Sequence, residues 1–221
     1  MLGIGASLSG CIAAAVPVMM AASVGVGGLS GFEVFKIVQL SSGGAVHVEF
    51  PGKDGKTQPP TPLPPVRKVA VWPEGKGDVM FADRLVATNR LTVAPPATVS
   101  AVLAETHTPA VLNQLTEQEK RAAFDMICRR AKTELIFASL PLGTSSDQNS
   151  WSFARATITL KYEILAYSCT RHAVVSDDQI AAVIEVGDKT PSGAEINKIM
   201  ADAWADRVLQ AMSGSAQITR Q

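Results

Sequence analysis

The chain has 221 residues, with 20 Lys plus Arg balanced by 20 Asp plus Glu, and a pI near 6.8. It lacks the basic footprint of a duplex-binding protein, which argues against nucleic acid as a partner. Apolar residues make up 47% but aromatics only 5%, so the core must be built from Val, Leu, Ile and Ala. No charged residue occurs before Glu33, so an apolar leader precedes a body of ordinary charge density.

Within that leader, Leu8, Ser9, Gly10 and Cys11 resemble the lipobox of bacterial lipoproteins, in which a cysteine thiol accepts the lipid after cleavage on its N-terminal side. The resemblance implies lipidation of Cys11. Ten residues precede Cys11 and none is Lys or Arg, which departs from the basic start of a signal peptide. Two other readings stay open. Cys11 to Leu29 is uncharged and near the roughly 20 residues that span a bilayer, although Pro17 and the glycines at 25, 27 and 28 weaken it as a helix. A secretory signal cut between Ala21 and Ser23 is the other. All three take the body out of the cytoplasm.

After the leader, Phe32 to Leu40 and Ala45 to Phe50 flank Ser41-Ser42-Gly43-Gly44, and Val46, Val48 and Phe50 alternate with more polar neighbours. This predicts a small hairpin, or a strand after a short helix. Pro59, Pro60, Pro62, Pro64 and Pro65 then predict an extended, stiff spacer. From Val66 the pattern is regular. Lys68 to Trp72 predicts a strand, and Asp78 caps a helix to Asn89 with Phe81, Leu85 and Val86 inward. Leu91 to Ala94 predicts the next strand and Thr98 to Glu105 a short helix. Thr116 with Glu119 forms a capping box opening a helix to Lys132, with Phe124, Ile127, Cys128 and Ala131 on one face.

Glu134 to Leu140 reads as a strand buried on both faces, and Leu142 to Ser150 as a Gly/Ser-rich loop. Thr157 to Ala166 and Ala173 to Val186 predict two long strands, the second bulged around Asp177 and Asp178. A final helix starts at Ser192 and Glu195, is striped by Ile196, Met200, Trp204 and Val208, and ends at Gly214.

The search for chemistry finds no constellation. Cys128 and Cys169 could pair in an oxidising compartment, or could be two buried thiols acting as small hydrophobes. Cys169 and His172 make half a zinc site without a second half. Gly52 to Thr57 ends like a phosphate-binding loop but lacks its first glycine and its helix. His47, His107 and His172 lie far apart, and Asp177 with Asp178 is a pair common in turns. No catalytic residue, cofactor or metal is assigned, and the chain is read as not an enzyme.

The expected fold is a mixed-sheet α/β sandwich of order βαβααβββα. The expected units are a leader at 1–31, a hairpin and Pro-rich linker at 32–65, an α/β domain at 66–213 and a disordered tail at 214–221. This order, the segment LTVAPPATV, the helix LTEQEKRAAFDMICRRAKTELIF and the late hairpin resemble the periplasmic domains of the curli secretion lipoprotein family, and more distantly the amino-terminal domain of the TolB type. The resemblance implies a non-catalytic lipoprotein facing the periplasm from the outer membrane, with the inner membrane as the alternative anchor. It would act as an adaptor or subunit in envelope assembly or secretion, held to the membrane by lipid on Cys11 and bound to envelope proteins or to itself. The alternative is a periplasmic enzyme or small-ligand-binding protein with a loop-built site, which an enclosed polar pocket would favour.

Overall fold

The buried apolar run after Glu134 lies inside a seven-stranded mixed sheet of order β1-β2-β7-β6-β5-β3-β4. The computed structural model of the protein describes residues 35–40, 44–52, 56–147, 156–187 and 191–218. Cys11 and the leader at 1–31 fall outside the described residues. The elements are β1 (Lys36–Gln39), β2 (Ala45–Glu49), β3 (Lys68–Val71), α1 (Lys76–Ala87), β4 (Thr92–Val93), α2 (Pro96–Glu105), α3 (Glu117–Ala131), β5 (Leu135–Asp147), β6 (Thr157–Ser168), β7 (Ala173–Glu185) and α4 (Gly193–Ile218). After the β1–β2 hairpin the order is βαβααβββα, as the sequence predicts.

β3 pairs in parallel with β4 on one side and β5 on the other, and the remaining ladders are antiparallel. Successive residues of a strand face opposite ways, so β3 and β5 feed two cores. Val69, Val71, Leu135 and Phe137 pack with α1 and α4, and Ala70, Trp72, Ile136 and Ala138 pack with α2 and α3. Two buried faces explain a run with no polar alternation. In the first core Phe81 stacks on Trp204 with ring centroids 3.7 Å apart. In the second, Trp72 and Tyr167 pack on Phe124, and the sulfurs of Cys128 and Cys169 are bonded, joining α3 to the end of β6.

Helix α3 starts as predicted. The Thr116 hydroxyl accepts the Glu119 N–H at 3.3 Å, and the Glu119 carboxylate accepts the Thr116 N–H at 2.8 Å. Elsewhere the structure differs from the sequence reading. Asp78 sits in the first turn of α1 rather than before it, accepting the Gly75 N–H at 2.8 Å, and Val86 is exposed. The α1 face that meets the sheet is set by Phe81 and Leu85, and Val86, next in sequence, is rotated about 100° away. The bulge lies at Val175: Ala166 pairs with Ser176 and Tyr167 with Val174, so two β7 residues oppose one step of β6. Helix α4 continues through Gly214 to Ile218, because one glycine costs a helix only about 1 kcal/mol against alanine and does not stop it.

Two segments read as separate from the domain share its core. β2 pairs with β7, and Val46, Val48 and Phe50 are buried in the same cluster as Trp204. In the proline run, Leu63 is 3% exposed and its N–H donates to the Ala211 carbonyl. Thr61 donates to Asp178 at 2.9 Å. A proline-rich stretch keeps its backbone groups free to bond outward, so this one straps onto α4 and β7 instead of spanning open solvent.

A candidate ligand cleft and an open strand edge

β3 is followed by Trp72 and Pro73, and the chain turns through Glu74 and Gly75 into α1. α1 lies on one face of the sheet and α2 and α3 on the other, although both connections start beside β3. The carboxyl end of β3 stops beside Phe137 of β5, well short of that strand's own end at Asp147. A cleft of about 270 Å³ occupies this place, between the first turn of α1, the sheet face of β5 to β7, and α4.

Glu74 and Asp78 form its acidic wall. Asp78 is 4% exposed, and burial raises its carboxyl pKa from 3.8 to about 6 against the opposing effect of its hydrogen bonds. Those bonds come from the Ser139 hydroxyl at 2.6 Å and the Gly75 N–H at 2.8 Å. Partial burial also raises Glu74, whose Oε2 accepts the Leu112 N–H at 3.1 Å. Across the cleft, Tyr162 is pushed upward first by burial and then by the charges of Asp78 and Glu74. Asn197, Met200 and Trp204 complete the α4 side.

The lining contains no imidazole and no thiol. The Ser139 hydroxyl donates to Asp78 Oδ1 at 2.6 Å, and the Gly75 N–H holds the other carboxylate oxygen. The cleft offers acceptor oxygens, a phenol and an amide above an apolar floor. The sequence marks Asp78 as a helix cap and Met200 and Trp204 as a helix stripe, and none of the lining as a site. The available signal was the Gly-rich, charged segment Glu74-Gly-Lys-Gly-Asp78 directly after a buried strand, the usual position of a site in a parallel sheet.

The second feature is an edge. β3 covers β5 only from Leu135 to Phe137, and the last bond of that ladder runs from the Trp72 N–H to the Phe137 carbonyl at 2.8 Å. From Ala138 to Asp147 the outer side of β5 has no strand partner among the described residues. The segment Leu142 to Asp147, predicted as part of a loop, is strand, because Gly143 to Asp147 pairs with Lys161 to Thr157. Cross-strand pairing overrides its low strand propensity. Pro141 to Ser146 is solvent-exposed, Leu142 among it at 50%.

The other residues noted in the sequence disperse. Asp177 and Asp178 point to opposite faces. Asp177 interacts with Glu163, whose carboxyl is raised by burial and by that neighbour. Asp178 lies 3.7 Å from Arg207, a buried cation whose Nη2 donates to the Gln58 carbonyl at 2.7 Å. His47 stands 3.0 Å from Glu185, His172 lies 2.8 Å from Asp125, and His107 and His172 both have left-handed backbones. Cys169 cannot complete a zinc site with His172 while bonded to Cys128. Around the phosphate-loop look-alike, the Gly52 N–H donates to the Lys56 carbonyl, and Lys53 to Gly55 lie outside the described residues.

No family model and no curated relative matches the chain. Solved structures to which it is similar include the PelC dodecamer of Paraburkholderia phytofirmans, at 14% identity and a TM-score of 0.36, covering 76% of this chain and 99% of that one. Lipoprotein GNA1162 of Neisseria meningitidis is similar at 11% identity and a TM-score of 0.41, covering 65% and 98%. Hypothetical protein CT253 of Chlamydia trachomatis is similar at 10% identity and a TM-score of 0.41, covering 69% and 95%. Among the described residues no helix is long and apolar enough to cross a membrane.

Proposed function

We propose that this is an exported bacterial envelope protein, anchored by lipid on Cys11 at the outer membrane, that works by protein contact as an adaptor or subunit rather than by turnover. The observation that carries the reading is the open outer edge of β5. Its row of unpaired backbone groups is a template for another extended segment, and native proteins rarely leave a long edge bare without use. Pro141 and the register shift between Pro141 and Gly143 interrupt that edge, so the continuous stretch for pairing is Gly143 to Asp147. The bonded Cys128–Cys169 pair supports export, since disulfides persist in oxidising compartments.

The test is site-specific photo-crosslinking in cells. Probes at Thr144 and Ser146 should give a discrete adduct, and probes at exposed Glu105 and Arg130 on the helical face should not. With the probe at Ser146, Thr144→Pro, which removes an N–H on the outer side of β5, should abolish the adduct without lowering the melting temperature of the purified protein. Equal adducts from both faces would refute the edge, and an unacylated Cys11 in mass spectra of the native N-terminal peptide would refute the anchor.

A further inference from the structure

The cleft contains a charge that the described chain does not balance. Neither Glu74 nor Asp78 forms an ion pair with any Lys, Arg or His among the described residues, although Lys76 also borders the cleft. Burying a carboxylate without a counter-charge is costly, and two neutral donors offset only part of that cost. Capping α1 explains why an acid stands at 78, because its carboxylate accepts the Gly75 N–H. It does not explain a second acid at Glu74, a phenol facing both, and a cavity between them.

The acceptors are free to do more. Asp78 accepts from Ser139 on Oδ1 and from Gly75 on Oδ2, each oxygen can take a second donor, and Glu74 accepts from Leu112 on Oε2. Tyr162 and Asn197 make no side-chain hydrogen bond among the described residues, while Met200 and Trp204 supply an apolar wall. The backbone N–H groups opening α1 would favour an anion, but Glu74 and Asp78 stand at the same end and repel one. The volume of about 270 Å³ is about nine times the share of one water molecule in the liquid, enough for a head group and a short stem.

We propose that the cleft is a recognition pocket for a cationic nitrogen group, an alkylammonium or guanidinium carried on an apolar stem. The nitrogen lies between Glu74, Asp78 and the Tyr162 hydroxyl, and the stem lies against Met200 and Trp204. This does not depend on the β5 edge being an interface. Ser139 and Pro141 nevertheless belong to both features, so the group can be a free amine or the Lys or Arg side chain of an extended segment lying along β5.

Titration calorimetry on the full chain at pH 7.5 separates these sources. The probes are n-pentylamine, a six-residue extended peptide with one central Lys, 1-pentanol and pentanoate. Pentylammonium should bind at least tenfold tighter than pentanol, and pentanoate should not bind. Glu74→Gln, which keeps an acceptor for the Leu112 N–H, should weaken amine binding about tenfold. Tyr162→Phe should weaken it severalfold, and it decides the matter if Glu74→Gln does not fold. Binding of the free amine supports a small-molecule site, and binding of the peptide alone supports a docked segment; both uphold cation recognition. Equal affinity for pentanol and pentylammonium, no binding of any cationic probe, or wild-type affinity in folded Glu74→Gln and Tyr162→Phe would overturn it.

Discussion

Replacing Asp78 by Asn should remove a pH dependence of stability that the burial of this acid creates. The folded protein holds the Asp78 proton more tightly than the unfolded chain does, because the pKa rises from 3.8 to about 6. Stability from this group is therefore fully present below pH 3.8, falls as the carboxyl ionises, and is flat above about pH 6. The rise corresponds to about 3 kcal/mol across the window. Asn retains an oxygen for the Gly75 N–H, and its amide can donate to the Ser139 hydroxyl, so the local hydrogen bonds survive in the variant. Urea titrations between pH 3.5 and 8, read by the fluorescence of buried Trp72 and Trp204, would give the difference between the two proteins and cancel all other titrating groups. Relative to Asp78→Asn, the wild type should lose about 2 kcal/mol as pH rises from about 4 to about 6, and close to 3 kcal/mol over the whole titrated range. A difference that is independent of pH, or that favours the wild type as pH rises, would refute the reasoning.

Three further outcomes follow from the packing. Cys128→Ser closes off a cross-link between residues 41 apart in sequence, and should cost about 4 kcal/mol in urea titrations, matched by reduction of the wild type. Arg207→Met leaves the partly buried Asp178 without its cation and should cost about 3 kcal/mol, most of it recovered by adding Asp178→Asn, as a double-mutant cycle in urea would measure. A chain starting at Val66 loses β1, β2, Leu63 and the Gln58 carbonyl under Arg207, so it should melt well below a chain starting at Phe35 or fail to give a cooperative transition; identical melting would show that residues 35–65 contribute nothing to the core.

The parts of the fold that are legible in the sequence are those whose information is local. The start of α3 is declared by Thr116 and Glu119, three residues apart, and its buried face by Phe124, Ile127, Cys128 and Ala131 at helical spacing. The continuous run after Glu134 requires two covered faces, and α1 with α4 and α2 with α3 cover them. Local pattern fails where a distant partner decides. The segment from Gly143 to Asp147 has turn-like composition, yet β6 holds it as strand. Leu63 sits among prolines, yet the end of α4 binds its N–H and buries its side chain. Asp177 and Asp178 look like a pair, but as strand neighbours they face opposite layers, one toward Glu163 and the other toward Arg207.

The cleft and the edge have one origin, a mismatch in strand length. β3 has 4 residues and β5 has 13, and after Trp72 the chain turns away, the Glu74 N–H donating to the Trp72 carbonyl at 3.1 Å instead of continuing along β5. Past Phe137, β5 therefore runs on without a neighbour on that side, and the turn through Glu74 and Gly75 leaves space between α1, α4 and the uncovered sheet. Had β3 continued for three more residues, its side chains would fill the position of the cleft and its backbone would occupy the edge beside Ser139 and Pro141. The turn directly after Trp72 thus leaves a pairing edge and a polar pocket together. The segment Glu74 to Asp78 is a local sign of the cleft, but its opposite wall is not, because Trp204 lies far along the sequence and meets Glu74 only in the folded chain.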